Sequence, residues 1–257
     1  MTKLHFLGTC SGTEPYEGRN HVSFVVNAGG LNYFFDAGEN CSRSAYLSGI
    51  DLLSVKAVFI SHPHYDHIGG LDGLMWNIRK LTTISDRLPF GKRVDVFVPK
   101  LESWDGIMQM LRNTEGNFQC RYDIVSHLVK DGLVFEDENI AVTAFHNHHL
   151  QAEEGDGWLS YSYRIEVEGK RIVFSGDVKR PEDLDGAIGD GCDLLLIETG
   201  HHSIENVAKY VNSRNVKEVF FIHHGLEILG DFEGAREKIK AINVPARLLD
   251  DGDTFEL

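Results

Sequence analysis

A chain of 257 residues, 42% apolar and 25% charged, has the material for a core of ordinary size, as one large domain or two small ones. Its formal net charge of −14 argues against tight, sequence-independent binding to a polyanion, which rests on Lys and Arg neutralising phosphates. It leaves room for a small phosphorylated substrate, because the charge of a metal can dominate a site.

Leu4–Leu7 and Val22–Val26 read as strands, separated by the turn-rich stretch GTCSGTEPYEGRN. Asn27–Gly30 punctuates a hairpin into Leu31–Phe35, which Asp36-Ala37-Gly38 ends. Segment 41–48 reads as a short helix and Ala57–Ile60 as a buried strand. Ile68, Leu71, Leu74, Met75 and Ile78 stand at helical spacing and predict a helix over 68–80. Val94–Val98 is a strand closed by Pro99, 101–112 a helix, and 120–145 a run of several short strands. Tyr161–Val167 and Arg171–Phe174 form a hairpin across Glu168-Gly169-Lys170. Strands at Leu194–Ile197 and Val219–Ile222 then alternate with helices over 203–212 and 231–241. Hairpins early in each half, followed by alternating strands and helices, predict an α+β fold of two packed sheets with helices outside. No linker or low-complexity tract interrupts it, so 1–257 is expected to form a single domain with two similar halves.

The chemistry is carried by the ends of the apolar strands. Ala57–Ser61 runs directly into His62-Pro63-His64-Tyr65-Asp66-His67, which puts four metal-type ligands within six residues. Pro63 holds His62 extended, and an extended stretch aims His62 and His64 to one side. Ile140–Phe145 runs into His146, His148 and His149, Ile172–Phe174 into Ser175-Gly176-Asp177, and Val219–Ile222 into His223-His224. One such strand end reads as a solvated histidine; four of them, with the compact cluster, point to loops converging on a metal. The four cysteines are scattered without a CxxC pair, which argues against a thiolate site and fits reduced thiols. No apolar run approaches the roughly 18 residues a membrane span needs. With no leader pattern at Met1–Phe6, a cytoplasmic protein without a membrane partner is expected.

HPHYDH matches the HxHxDH signature of the metallo-β-lactamase superfamily, and FLGTCSGTEPYEGRN followed by FFDAGE resembles its ribonuclease Z-like branch. SGD and the late strand-ending histidine fit the remaining superfamily motifs, so the resemblance covers nearly the whole chain. It implies a four-layer αβ/βα sandwich with two divalent metal ions, zinc foremost and manganese or iron as alternatives. His62 and His64 would hold the first ion together with His149, or His148 as the weaker candidate. Asp66, His67 and His223 would hold the second, and Asp177 would bridge the two. Asp36 would orient a ligand histidine. Asp66 and His202 are the residues assigned to catalysis. His202-Ser203 resembles the branch's HS(T)-type segment, with His201 as the alternative proton carrier. The resemblance also implies a homodimer.

Water activated by two divalent ions suits phosphodiester hydrolysis, so the expected substrate is a small or nucleotide-type phosphodiester. tRNA 3′ processing, the activity of ribonuclease Z itself, is the alternative. A nucleic-acid partner is disfavoured by the acidic charge and by the lack of a long basic, glycine-rich arm, since residues 81–93 are short and mildly basic. Gly38-Glu39-Asn40-Cys41 also departs from the branch's usual GEGT. A lactamase or thioester hydrolase is disfavoured by the carboxylates at Asp66 and Asp177, where a cysteine ligand would stand. A non-catalytic metal-binding scaffold is the reading from a different class. His224 is expected to neighbour the site, whereas His5, His21 and His127 read as ordinary histidines. Trp76, Trp104 and Trp158 read as core packing or pocket lining.

Overall fold

The computed structural model describes residues 1–12, 16–152 and 157–257. Residues 13–15, within the turn-rich stretch before the second strand, and 153–156 lie outside the described residues. The chain divides into two compact units. One comprises Met1–Gly8, Asn20–Val129 and Gly252–Leu257; the other comprises Thr9–Arg19 and Lys130–Asp251.

The first unit is built from β1 (Lys3–Gly8), β2 (Ser23–Ala28), β3 (Leu31–Phe35), α1 (Cys41–Leu47), β4 (Val55–Phe59), α2 (Tyr65–Ile68), α3 (Leu71–Ser85), β5 (Arg93–Val98), α4 (Leu101–Arg112), β6 (Asp123–Leu128) and the closing strand β14 (Thr254–Glu256). Its sheet runs β14-β1-β2-β3-β4-β5-β6, antiparallel through β3 and parallel from β3 to β6. Residues of alternate parity along each strand take opposite faces. Val25, Phe34, Val58 and Val96 pack with Leu71, Leu74, Met75 and Ile78 of α3 and with Trp104 of α4. Full burial of each large apolar side chain stabilises the unit by about 1.5–3 kcal/mol before entropy is counted. The opposite face carries a cross-strand aromatic ladder. Phe6, Phe24, Phe35, Phe59, Phe97 and His127 stack in register, with successive centroids 5.7, 5.1, 4.9, 4.8 and 4.5 Å apart.

The second unit repeats the plan with β7 (Gly132–Glu136), β8 (Ile140–His146), β9 (Tyr161–Val167), β10 (Lys170–Phe174), α5 (Asp185–Ile188), β11 (Leu194–Glu198), α6 (Ile204–Val211), β12 (Val219–Ile222), α7 (Leu226–Leu229), α8 (Phe232–Lys238) and β13 (Ala246–Leu248). Its sheet runs β13-β12-β11-β10-β9-β8-β7, antiparallel from β7 to β10 and parallel from β10 to β13. Val173, Leu195, Ile197, Val219 and Phe221 pack with Val207, Ala208 and Val211 of α6. Ser203 caps α6 by accepting a hydrogen bond from the Asn206 amide at 3.3 Å.

One difference from the sequence reading bears on chemistry. The helix expected over 68–80 is two helices, and Asp66 and His67 sit inside the first, α2. Gly69-Gly70 makes the break. The Gly70 amide donates to the Ala37 carbonyl at 2.8 Å, and a Cβ at Gly70 would lie 2.2 Å from the Gly38 carbonyl oxygen. Only glycine lets the backbone run this close to the end of β3. The elements the sequence reading missed, β13, β14, α5 and α7, are three or four residues long, too short to display a period. Among the described residues, no helix is long and apolar enough to cross a membrane.

In each sheet the parallel strands release their chains at one edge, where open α/β sheets place ligands. β8 is antiparallel to β9, and β9 to β10, so β8 ends at the same edge as β10.

Candidate metal centre

In the first unit, Ile60 continues beside β5 through its amide bond to Phe97, and Ser61-His62 then emerge at the carboxyl edge. Asp36, directly after β3, anchors them. It is fully buried, with a left-handed φ of 55°. Its Oδ1 accepts the Ser61 amide at 2.6 Å, and its Oδ2 accepts the Ser61 hydroxyl at 2.8 Å and His67 Nδ1 at 2.6 Å. With Nδ1 committed to Asp36, His67 turns Nε2 outward, 3.3 Å from Asp66 Oδ2. A Ser61 hydroxyl that donates to Asp36 is left to accept from His62 Nδ1 at 3.0 Å. This network assigns His62 the tautomer with a bare Nε2. That nitrogen lies 3.0 Å from His64 Nδ1. Two imidazole nitrogens on one tetrahedral zinc, each about 2.0–2.1 Å from it, stand roughly 3.3 Å apart. At 3.0 Å the two nitrogens are within hydrogen-bonding reach and near the separation of two ligands on one cation.

The second unit gathers a matching set. Ligand atoms of Asp177, Glu198, His201 and His223 lie within 4.8 Å of one another. Asp177 divides its oxygens: Oδ1 is 3.3 Å from His223 Nδ1, and Oδ2 is 3.7 Å from both His149 Nε2 and His201 Nδ1. His223 also takes a left-handed φ, 54°, unusual for a bulky residue. The turn is held by amide bonds from His224 to Thr9, Ser11 to His224 and Thr199 to His223. Gly200 makes room for it, since a Cβ there would lie 2.7 Å from the His223 ring.

The geometry separates the paired candidates. His148 is nearly half exposed and its Nδ1 binds Asp183 at 2.8 Å, whereas His149 faces Asp177. His202 directs Nε2 to the Val178 carbonyl at 2.9 Å. It is His201 whose ring lies against His149, with centroids 4.8 Å apart, and whose Nδ1 meets Glu198 at 3.2 Å. The bond to Glu198 raises the His201 pKa.

Glu198 belongs to this cluster, and the sequence reading left it without a role. It ends β11 fully buried, accepting the Val178 amide at 3.3 Å and the His201 amide at 2.9 Å, with His202 Nε2 at 3.6 Å and His223 Nδ1 at 3.8 Å. Burial would raise its carboxyl pKa, but the hydrogen bond from His201 and the neighbouring His223 imidazole outweigh that and hold it below the usual range. A carboxylate closing the apolar run LLLI, just before Thr199-Gly200-His201-His202, was the available signal.

His224 is a packing histidine. It is buried, binds the Leu249 carbonyl through Nε2 at 2.8 Å, and burial pushes its pKa down to about 3. His127 binds Asp95 at 2.6 Å, His5 meets Thr254 at 3.1 Å, and His21 stands 3.9 Å from Glu39. No cysteine enters a metal-type group among the described residues. The donors are imidazole and carboxylate alone, several of them oriented by buried acceptors, and this chemistry fits divalent zinc, manganese or iron.

Replacing Asp36 with alanine is expected to weaken metal binding roughly 10–100-fold and to destabilise the unit by about 3–5 kcal/mol, because the His67 and Ser61 donors lose a buried acceptor. Asp36→Asn, which tolerates the left-handed backbone and keeps an acceptor, is expected to lose less of both. Urea melts and metal titration of the two variants provide the check.

Comparison with known proteins gives three findings. A family model described as "Anti-Pycsar protein Apyc1" matches residues 2–202. Ribonuclease Z of Methanothermobacter thermautotrophicus is 33% identical over 87% of this chain and 86% of its own, and ribonuclease Z of Archaeoglobus fulgidus is 24% identical over 94% and 93%. Among solved structures, the short form of human tRNase Z superposes with a TM-score of 0.76 at 18% identity, covering 99% of this chain and 98% of that one. The fold class is therefore α+β, of the metallo-β-lactamase type.

Proposed function

Because this chain belongs to the Apyc1 family and to the ribonuclease Z-like branch of the metallo-β-lactamase superfamily, and is a metal-dependent hydrolase, we propose that it cleaves a small, nucleotide-type phosphodiester. Seven residues form the proposed ligand set for two divalent ions, zinc foremost: His62, His64, Asp66 and His67 from the first unit, and His149, Asp177 and His223 from the second. The observation that carries this reading is Asp177, whose two oxygens face different histidines as a shared carboxylate's would. When bound, the ions would lower the pKa of water and offset phosphoryl charge. The protein's own part is to orient and to move a proton. Asp36 and Ser61 fix His67 and His62 with their outer nitrogens bare. His201, whose pKa the bond to Glu198 raises, is placed to donate to the leaving oxygen. His202 steadies this arrangement through Val178 and Glu198.

The names of the relatives support a second reading, tRNA 3′ processing. The net charge of −14 favours the small substrate, since a tRNA must be held through its phosphates.

The test is turnover of bis-p-nitrophenyl phosphate by protein loaded with zinc, manganese or iron. Activity that disappears in His64→Ala is expected; no turnover with any of the three metals would refute the proposal. Cleavage of precursor tRNA at physiological salt, exceeding that of the small ester, would promote the second reading. On an ester with a basic, alkoxide leaving group, His201→Ala is expected to retain its metal and to lose roughly 10²–10⁴-fold in rate, with a smaller loss in His202→Ala. The reverse order would return the proton-carrying role to His202.

A further inference from the structure

Around the chain segment that leads into His149, the second unit carries three rings that the metal chemistry does not use. The His146 imidazole lies flat on the Trp158 indole, with centroids 4.3 Å apart and planes 10° apart. His148 stands edge-on to both, 5.2 Å from Trp158 at 79° and 5.9 Å from His146 at 73°. All three rings are partly exposed. Each histidine is fixed by a carboxylate on its Nδ1: His146 by Asp131 at 2.7 Å, and His148 by the buried Asp183 at 2.8 Å. The loop beneath them is equally fixed. Asn147 is buried, its amide binds the Ser160 carbonyl at 2.9 Å, and its side chain accepts the His149 amide at 3.1 Å while donating to Ser162 at 3.2 Å.

A polar, partly exposed imidazole–indole stack gains little as core packing. Its value lies in the flat face it offers to another planar ring, already ordered before anything binds. Its place along the chain gives it a role. His146 and His148 come immediately before His149, so whatever stacks there is carried on the same hydrogen-bonded loop as a proposed metal ligand. We propose that Trp158 and His146 form the platform for the nucleobase of the substrate, with His148 at its edge. With Nδ1 held by Asp183, His148 offers Nε2 to a polar group on the rim of the base. This rests on the phosphodiesterase reading and adds what that reading lacks, a reason for the substrate to be a nucleotide. Stacking is tolerant of base identity, so the platform selects a base over no base, and the edge of His148 adds discrimination among bases.

The experiment compares two esters with the same leaving group, thymidine 5′-(p-nitrophenyl phosphate) and methyl p-nitrophenyl phosphate. In Trp158→Ala, the ratio of kcat/KM for the thymidine ester to that for the methyl ester is expected to fall roughly 5- to 150-fold, with Trp158→Phe recovering most of the loss. An unchanged ratio would overturn the platform. Calorimetric binding of thymidine 5′-monophosphate and of methyl phosphate to metal-loaded protein keeps the two proposals separable. Wild-type protein is expected to bind the nucleotide more tightly, and Trp158→Ala to erase the difference. If neither ester is turned over but that preference is present and lost in the variant, the hydrolytic reading falls and the platform stands. If wild-type protein binds both equally, the platform falls whatever the catalysis.

Discussion

Asp177→Ala protein is expected to purify with less than its full complement of metal, and to lose more turnover than the roughly 10–100-fold that removal of an outer-sphere partner costs. Two divalent ions a few ångströms apart repel strongly, and a buried carboxylate between them is the least costly way to offset that repulsion. That role is the one proposed for Asp177, which is almost completely buried, with His223 on one oxygen and His149 and His201 on the other. Alanine removes a charge that all three of those imidazoles face. Added zinc is expected to restore activity only partly, because the second ion returns to a site short of one negative charge. Elemental analysis read beside the rate decides the matter. Two ions per chain in the variant would show that Asp177 is not the bridge, whatever happens to the rate.

The centre is legible in the sequence to an uneven degree, and the unevenness has a physical origin. HPHYDH announces itself because its ligands are consecutive, so chain geometry alone brings His62, His64 and His67 together. Asp36 and Asp177 are readable as carboxylates that follow apolar strands. The main architecture also follows from pattern: every strand with four or more buried positions stands where its apolar run predicted. What pattern does not convey is which way a side chain turns once the chain leaves its strand. His148 and His149 are equal candidates by type, and so are His201 and His202. They are separated by partners far off in sequence, Asp183 and Val178 for one of each pair, Asp177 for the other. Ser61 and Asn147 adjoin the histidines they bond, but the groups that fix them, Asp36 for Ser61 and Ser162 for Asn147, lie far off in sequence.

Glu198 is the sharpest instance, and it yields the second large effect. Glu198→Gln preserves shape and most acceptor capacity but removes the charge that raises the His201 pKa. Proton donation matters most when the departing oxygen is basic. With p-nitrophenolate, which leaves readily without a proton, Glu198→Gln is expected to cost little. With an alkoxide leaving group, such as the ribose oxygen of a dinucleotide, it is expected to cost roughly 10²–10⁴-fold, the range of general acid catalysis. Metal content is expected to change far less than in Asp177→Ala, because His149, Asp177 and His223 all remain. Measuring kcat on the two substrate types in wild type, Glu198→Gln and His201→Ala separates the roles. Equal losses on both substrates would make Glu198 a structural support for the loop after β11, not the group that sets the charge on His201. If the two variants instead show the same dependence on leaving group, and removing His201 makes the further loss of the Glu198 charge inconsequential, the two residues act as one proton-donating unit.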